Sequence, residues 1–562
     1  MKVMKHIKTI SLLACAILIT SCNFLDFDET SNRYEKDDIY AYFSKTKSML
    51  THVYSFMPQD FGAIGGAMRD CGCDDAEYGN NAAVVQFYGT NTWSAIKTID
   101  DSWGLYKGIR AANAFIVDIK DVDFSRYENH PKYKEWMEQL QYFPYEARLL
   151  RAFYFFELAR RYGDIAMPLT VLSAEEANNI KKTPFNNVVE FIVSECNECI
   201  KNLPETYETR YPKEVGRVTK GFAMAVKSKT LLYAASKLHN PQMDKEKWKR
   251  SAKAALDIID TKLYHLEKEN ANNLFSGEVV LFRMNTANSS FELNNFPVRF
   301  TNGKKKVLSN TNFPTQNLVN AFETRNGYKA ILTESGWECD DPKFSPISPY
   351  DKRDPRFYRT ILYNGAEFKD KELELFVGGE DDLPVLQGGS PTGYFLRKYI
   401  EPETSFETDH EVKKKHHWII YRYAETLLTY AESMFEAFGD PDATTSEFPK
   451  SARWALNEVR RNVEMPDTKA TIEDFREAIR NEWRVEFAFE DHRFWDIRRW
   501  DIGAETQREI YGAYITKDEH DILSYKAFQY EKRHWADCKN LYPIPQKEIF
   551  KNTNLQPQNP GW

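Results

Sequence analysis

The sequence predicts a mainly α-helical protein: a tetratricopeptide-like helical-repeat scaffold that carries a long, loop-rich insertion with short strands. Segments with apolar residues at helical spacing fill both ends of the chain and are separated by short turns. Small residues fall where neighbouring helices would cross, as at Ala223, Ala225, Ala252 and Ala255. No regular repeat of about 34 residues can be aligned, so we expect a divergent stack.

Helices are predicted where this spacing is sustained and bounded by stop signals. The strongest of them, residues 146–162, ends at Gly163, and Pro168 follows soon after. The other predicted helices are residues 96–119, 187–202, 220–238, 245–263, 421–438, 451–462, 472–483 and 480–500. They lie on both sides of the insertion.

The insertion, residues 271–400, loses the helical spacing. Asn, Gly and Pro become frequent there, and short aromatic and β-branched runs such as FPVRF at 296–300 predict strands. We expect one body over residues 22–562, with an N-terminal helical part (22–270), the insertion, and a C-terminal helical part (401–562).

The N-terminus has the layout of an export signal. Lys2, Lys5 and Lys8 precede a short apolar run, and Cys22 follows a small-residue site. This resembles a bacterial lipoprotein signal, in which residues 1–21 are removed and Cys22 is lipidated. Cleavage before Cys15 would leave only about four apolar residues after Lys8, fewer than such signals use. No other segment has the roughly 18 apolar residues of a membrane span, so we expect the lipid alone to hold the protein at the membrane.

Charge and motifs narrow the function classes. The formal net charge is −8, with Lys and Arg dispersed among acids, so we expect no nucleic-acid partner. Aromatic residues form 14% of the chain, which suits ligand stacking as well as core packing. The sequence contains no G-x-S-x-G elbow, no G-x-x-x-x-G-K loop and no H-E-x-x-H motif. These absences argue against catalysis.

The cysteines do not form a recognisable metal site. Cys196 and Cys199 share a predicted helix but have no second ligand pair at zinc-site spacing, so we interpret them as thiols. Cys71 and Cys73 precede three acids, the last of which is Glu77. A solvated loop is our interpretation there, and a bound cation between Cys71 and Glu77 is the alternative. We predict no cofactor and no metal.

The stretch 480–500, RNEWRVEFAFEDHRFWDIRRW, interleaves charges of both signs with apolar residues on several helical faces. A helix of this kind is buried on several sides, and buried charges are costly without partners. We therefore expect paired, hydrogen-bonded side chains at Glu482, Arg484, Glu486, Arg493, Asp496 and Arg498.

This stretch, the YPIP at 542–545 and the segment DSWGLYKGIRAAN at 101–113 together resemble the SusD/RagB family. Further matching motifs follow in order to the C-terminus. The resemblance implies a nutrient-binding lipoprotein of the Bacteroidetes outer membrane that faces the extracellular side. It also implies a partner, a SusC-like TonB-dependent transporter that the protein would cap.

Candidate ligand contacts come from composition. A glycan site needs exposed rings beside polar groups, and loops on a rigid scaffold are the usual place for them. The loop region 69–93 offers Asp70, Tyr88 and Trp93, and the insertion offers Trp337 and Tyr394. Ligand contacts in the family come from variable loops, so the resemblance transfers none of them by position.

The predicted function is capture of an oligo- or polysaccharide and its delivery to the transporter without turnover. One alternative is a RagB-like protein that binds peptide, which would use backbone hydrogen bonds more than rings. A further alternative is a surface glycoside hydrolase, whose two carboxylates could not be recognised among 83 acidic residues. The adjacent His416 and His417 are expected to be solvated.

Overall fold

The computed structural model describes residues 36–207, 211, 214–268, 276–305, 310–382 and 389–562. The predicted signal segment and Cys22 lie outside the described residues. Within these ranges, no helix combines the length and the apolar character that crossing a bilayer requires.

The helices are α1 (Lys36–Tyr40), α2 (Phe43–Tyr54), α3 (Leu105–Asp118), α4 (Tyr133–Leu140), α5 (Phe143–Tyr162), α6 (Ala174–Ala177), α7 (Phe185–Asn202), α8 (Lys220–Ala235), α9 (Lys245–Thr261), α10 (Ser290–Asn295), α11 (Gln316–Val319), α12 (Pro355–Thr360), α13 (Tyr423–Phe438), α14 (Ala452–Asn462), α15 (Phe475–Glu486), α16 (Arg493–Arg499), α17 (Gly503–Thr506) and α18 (Gln546–Lys551). The strands are β1 (Ala76–Tyr78), β2 (Ile165–Ala166), β3 (Lys182–Thr183), β4 (Val279–Arg283), β5 (Asn312–Pro314), β6 (Ala330–Thr333), β7 (Gly336–Cys339), β8 (Ile361–Leu362), β9 (Glu367–Phe368), β10 (Lys371–Glu372), β11 (Phe395–Leu396), β12 (Trp418–Arg422), β13 (Glu509–Lys517) and β14 (Leu523–Lys532).

The long helices form one stack. Helix α3 packs against α5, and α5 packs against α7. Helix α7 packs against α8, which in turn packs against α9. Helix α9 then packs against α13, although the insertion separates them in sequence, and α13 packs against α14. The predicted mainly α-helical stack interrupted by a loop-rich insertion is therefore confirmed.

Helix α5 illustrates how the sequence specifies the stack. Almost all of its side chains are buried, because α3 and α7 both pack against it. Gly163 ends the helix at a φ of 69°, a conformation that is open to glycine but strained for most other residues. The stop predicted at Gly163 is confirmed.

The insertion consists of small antiparallel strand pairs. Strand β4 pairs with β12, which leads into α13, and β5 pairs with β1 of the N-terminal part. The strand predicted at 296–300 is wrong, because Val298–Phe300 forms a 3-10 turn. The cause is local: Pro297 has a φ of −55°, to which its ring restricts it, and it has no N–H for strand pairing.

The C-terminal part contains more strand than predicted. Strands β13 and β14 form a long hairpin, and the register shifts between Ile510 and Tyr511. Buried residues of β13 therefore do not alternate strictly: Ile510, Ala513 and Ile515 are buried and Tyr514 is half exposed. Strict alternation is the signal by which a half-buried strand is recognised, and the bulge removes it.

The stretch 480–500 is two helices, so the prediction of one continuous helix is wrong. Helix α15 ends at Glu486 and α16 begins at Arg493. Between them, Phe489 and Asp491 both have a φ of 60°, which is uncommon for residues with a side chain. The Phe489 N–H donates to Asp70 Oδ1 at 3.1 Å, a contact that helps to hold the break.

The charges of this stretch are paired, as predicted. Glu482 contacts Arg356 at 2.5 Å and Arg460 at 2.9 Å. Glu486 contacts Arg356 at 2.8 Å and Arg422 at 2.6 Å. The remaining pairs are Arg484–Asp75 at 2.6 Å, Arg493–Asp74 at 2.9 Å and Arg499–Asp496 at 2.7 Å.

Arg498 is the exception. It has no carboxylate partner among the described residues, and its guanidinium donates to the carbonyls of Phe494 (2.7 Å) and Lys539 (3.1 Å). Burial lowers the pKa of Arg498 to about 10. The prediction of an ion pair at this residue is wrong, and the face of the Phe494 ring, 3.4 Å from its guanidinium carbon, compensates in part.

Arg422→Met is expected to reduce the free energy of unfolding by about 3–5 kcal/mol. Arg422 contacts three buried glutamates: Glu278 at 2.8 Å, Glu486 at 2.6 Å and Glu490 at 2.8 Å. Without the guanidinium, these carboxylates stay buried with less compensating charge. Urea denaturation followed by tryptophan fluorescence measures the loss.

The matched control is Arg461→Met. Arg461 pairs with Asp467 at 2.5 Å, but both side chains are about half exposed, and exposed pairs contribute roughly 0–1 kcal/mol. Equal losses in the two variants would contradict a special role for the buried ion network, by which we mean Arg422 with Glu278, Glu486 and Glu490 and the linked pairs of Arg356, Arg460 and Glu482.

In Glu490→Gln, the free energy of unfolding is expected to fall less steeply than in the native protein as the pH is lowered. Burial by itself would raise the pKa of Glu490, but Arg422 and Lys398 outweigh it and hold the pKa at about 2. An unfolded glutamate has a pKa of about 4.3, so the unfolded chain binds the proton more readily. The stabilisation is therefore present above about pH 5 and is lost as the pH falls towards 2.

Unfolding free energies of native protein and Glu490→Gln, measured from pH 7 to pH 2, test this expectation. Glu473→Gln is the control, because Glu473 is exposed and makes none of the contacts of Glu490 with Arg422 and Lys398. Parallel acid profiles for native protein and Glu490→Gln would refute it.

Candidate ligand-binding site

An open pocket of about 270 Å³ lies between the loop that follows α2 and the segment around α10. Asn312 of β5 and His416, which lies just before β12, complete the lining. Its lining residues are Gln59, Phe61, Gly62, Gly66, Asn285, Thr286, Asn288, Ser290, Phe291, Asn294, Asn295, Asn312 and His416.

One wall is the glycine-rich loop FGAIGGA at 61–67. Ile64 and Ala67 exchange backbone hydrogen bonds of 3.0 and 3.1 Å, which makes the loop a tight turn. Gly66 has a φ of 99°, and a Cβ there would lie 2.6 Å from the Tyr78 hydroxyl. Only glycine fits, and the turn presents the half-buried ring of Phe61 at the pocket.

The other wall is the segment 285–295, which is fixed at both ends. The Asn285 N–H donates to His417 Nδ1 at 3.2 Å, and its side-chain amide donates to Gln59 Oε1 at 2.7 Å. Asn288 exchanges backbone hydrogen bonds with Lys414. These contacts hold the two walls at a constant separation.

Asn312 joins the pocket to the core behind it. Its side-chain amide donates to Asn295 Oδ1 at 3.0 Å, and its Oδ1 accepts from the Met68 N–H at 2.8 Å. His416 lies beside it, with Nε2 2.8 Å from Glu292 Oε1. The prediction that His416 is solvated is therefore wrong; the residue is buried because Phe61 and Phe291 pack against its ring.

The pocket offers unused hydrogen-bonding groups and no charge. Among its described lining residues there is no Asp, Glu, Lys or Arg. The Gln59 Nε2 amide, the Asn294 side chain and the Ser290 hydroxyl have no partner within the described ranges. Neutral groups of this kind can donate to and accept from hydroxyls.

Lys305 lies just behind the pocket. Its ammonium donates to the Asn294 carbonyl and to Thr311 Oγ1, the latter at 2.7 Å, and no described carboxylate pairs with it. Burial lowers the pKa of Lys305 to about 7. Lys305 is not among the lining residues of the pocket.

Two larger grooves differ in chemistry. One of about 620 Å³ is lined by many charged residues, including Arg460, Arg480 and Glu477, and another of about 570 Å³ includes Arg397, Glu401 and Glu490. Both border the buried ion network, and many of their charges are already paired within the protein. The uncharged pocket is therefore our candidate site.

Tyr88 and Trp93 lie in the core. The ring centroids of Trp93 lie 4.9 Å from Tyr88 and 4.8 Å from Tyr542, in edge-to-face contacts, and Trp93 is 4% exposed. The expectation that these rings are exposed is wrong, since residues distant in sequence cover them. Ligand contact at Tyr88 and Trp93 stays a prediction, although neither ring is open to solvent in this structure.

The two candidate residues of the insertion, Tyr394 and Trp337, differ in burial. Tyr394 is fully buried, and its hydroxyl donates to Gln316 Oε1 at 2.6 Å, so its expected exposure is also wrong. Trp337, in β7, is half-buried against Phe344 and Tyr350. Ligand contact at these two residues also stays a prediction. Neither residue reaches the candidate pocket.

Asp70 is buried too, and the expected solvated loop at 71–77 is wrong. Asp70, Cys73 and Asp75 bring possible metal ligands within 4.8 Å of one another. Arg484 already contacts Asp75 at 2.6 Å, and burial raises the pKa of Asp70 and Cys73 well above their ordinary values. This arrangement opposes the ionised ligands that a cation needs.

Sequence reasoning missed the pocket residues. Two stretches of the sequence could have indicated these residues: the glycine cluster at 62–66 and the amide-rich run NTANSSFELNN at 285–295. Each is ordinary loop composition by itself. Only the fold brings them together.

Comparison with known proteins identifies the family. A model described as "SusD family" matches residues 278–562, and one described as "Starch-binding associating with outer membrane" matches residues 23–232. The chain belongs to the SusD family, as its motifs predicted. A SusD-like protein of Formosa agariphila is 25% identical over 424 residues, which are 74% of this chain and 73% of the relative. A second from that organism is 21% identical over 589 aligned residues, 97% of each chain.

Solved structures share the fold. A SusD-like protein of Bacteroides fragilis is 26% identical, with a TM-score of 0.75 over 94% of this chain and 98% of that one. A "SusD-like carbohydrate binding protein" of the same species is 24% identical, with a TM-score of 0.72 over 92% and 100%. A "laminarin binding SusD-like protein" is 21% identical, with a TM-score of 0.58 over 92% and 99%.

Trp93→Ala is expected to reduce the free energy of unfolding by about 3–5 kcal/mol, because it leaves a cavity among Tyr88, Tyr542 and Trp562. Denaturant unfolding measures the loss. Tyr514→Ala is the control, since Tyr514 is 50% exposed and its removal should cost far less. A native-like stability of Trp93→Ala would show that the ring is not part of the core.

Proposed function

We propose that this protein captures an oligo- or polysaccharide at the cell surface and delivers it, without turnover, to a SusC-like TonB-dependent transporter of the outer membrane. Cys22 carries the lipid that anchors it, and residues 22–562 act as one body facing the extracellular side. The candidate pocket is the capture site in this proposal.

The observation that carries the proposal is the chemistry of the pocket. A half-buried ring, Phe61, lies beside amides and hydroxyls with free donors and acceptors, and no described lining residue is an Asp, Glu, Lys or Arg. Sugars present C–H faces to aromatic rings and hydroxyls to amides. A neutral glycan meets both requirements without desolvating a charge.

The same lining supports capture without turnover. Glycoside hydrolysis needs two carboxylates across the scissile bond, roughly 5–10 Å apart. The nearest buried acid, Glu292, is held by His416 at 2.8 Å and by the Glu401 N–H at 3.2 Å. It has no second carboxylate opposite it among the lining residues that the structure describes.

Relatives support the glycan over the alternatives. One solved structure with this fold is described as carbohydrate binding and another as laminarin binding, and one matching family model is described as starch-binding. The rigid walls at Asn285 and Gln59 also suit the preformed face of a sugar ring better than an extended peptide backbone.

Calorimetric titration of a lipid-free form that begins after Cys22 is expected to give heat with one neutral class of plant, host or microbial polysaccharide. Gln59→Ala and Asn285→Ala are each expected to weaken binding about tenfold, which is ~1.4 kcal/mol, because each removes a pocket amide. Gln141→Ala is the control, since Gln141 is exposed and outside the pocket.

A peptide digest and a reducing-sugar assay complete the experiment. Heat with peptides but with no glycan would replace the proposal by peptide capture. Release of reducing ends would make the protein a hydrolase. Unchanged glycan affinity in both pocket variants would move the capture site elsewhere.

A further inference from the structure

A second pocket, of about 360 Å³, lies among α3, the segment after β2 and α18. It shares no lining residue with the candidate glycan site. Its walls are mostly apolar and include Trp103, Tyr106, Pro168, Leu172, Ile180 and Leu555. We call it the Trp103 pocket.

The walls of the Trp103 pocket are fixed by hydrogen bonds from within the fold. The Tyr106 hydroxyl donates to the Ala166 carbonyl at 3.0 Å. The Asn113 amide donates to the carbonyls of Pro168 and Thr170 at 2.9 and 3.0 Å. On the opposite side, the Asn552 amide donates to the Ile180 carbonyl at 2.8 Å. The cavity is therefore preformed, which reduces the ordering cost of binding.

The rim carries two cationic side chains that no carboxylate within the described ranges pairs with. Lys107 and Arg110 lie one turn apart on α3, so their side chains extend from the same face. The Lys107 ammonium has no partner within the described ranges, and Arg110 donates only to the Leu172 carbonyl, at 2.8 Å. The one carboxylate of the lining, Glu548, is already paired with Lys551 at 3.2 Å.

The floor provides one more directional group. The rings of Trp103 and Tyr106 are half-buried, with centroids 5.0 Å apart. The indole N–H of Trp103 has no acceptor among the described residues. A ligand that fills the pocket can therefore lie against both rings.

We propose that the Trp103 pocket binds a small amphipathic anion: an apolar ring or short chain that carries one carboxylate, sulfonate or phosphate. The apolar body lies against Trp103 and Tyr106, and the anionic group lies between Lys107 and Arg110. The pocket walls exclude water from the body, and the two cations select against neutral and positively charged ligands. This inference is independent of the proposed glycan capture.

The test uses two fluorescent probes that share one skeleton: 8-anilinonaphthalene-1-sulfonate and the uncharged N-phenyl-1-naphthylamine. The native lipid-free protein is expected to bind the sulfonate at least tenfold more tightly than the neutral probe. In the double variant Lys107→Gln, Arg110→Gln, this ratio is expected to fall close to one. Lys120→Gln is the control, because Lys120 is exposed just beyond the end of α3.

Ala177→Trp checks the location, since Ala177 is exposed on the lining and a large ring there fills the cavity. It is expected to abolish the saturable signal of both probes while leaving glycan heat unchanged. The proposal is overturned if the native protein shows no saturable sulfonate binding, or if that binding survives in Ala177→Trp. It is also overturned if the double variant keeps the native selectivity.

Discussion

The buried ion network of the C-terminal stretch is the interaction on which the rest of the structure depends. Arg422 reaches Glu278 at the start of the insertion, and Glu486 and Glu490 around the end of α15. Because a buried charge without a partner costs several kcal/mol, these segments must meet in one arrangement. Hydrophobic burial in the stack supplies most of the stabilisation, and the charges determine which parts of the chain come together.

The need of buried charges for partners also positions the candidate site. Asp491 adopts a φ of 60° in the break between α15 and α16, and from there it contacts Arg69 at 2.5 Å. The Arg69 N–H donates to Asp60 Oδ2 at 2.7 Å, next to Phe61 in the pocket wall. A strained residue in the C-terminal part thus fixes a loop about 430 positions earlier in the chain. A continuous helix through 480–500 would place Asp491 elsewhere and leave that loop without its anchor.

The sequence predicted what local periodicity encodes. Helices such as α5, α9 and α13 were found within a few residues of their ends, and the need for charge partners was recognised before any partner was known. The break at Phe489 was missed because it depends on Asp70, more than 400 residues away. Trp93 was misjudged because its polar neighbours in the chain are not its neighbours in space. The pocket was missed for the same reason: Gln59 and Asn285 are each unremarkable until the fold joins them.

The distribution of charge explains why one family scaffold can offer pockets of different chemistry. Near the ion network, cations such as Arg460 and acids such as Glu477 line grooves in which the protein has already paired much of its charge. The glycine loop and the 285–295 segment contribute no Asp, Glu, Lys or Arg to the pocket lining, and the Asn294 side chain and the Gln59 Nε2 group beside them have no partner among the described residues. On α3, Lys107 and Arg110 have no carboxylate partner among the described residues. Since selectivity follows from groups that the fold leaves unsatisfied, we expect the first pocket to favour neutral hydroxyl-bearing ligands and the second to favour anions.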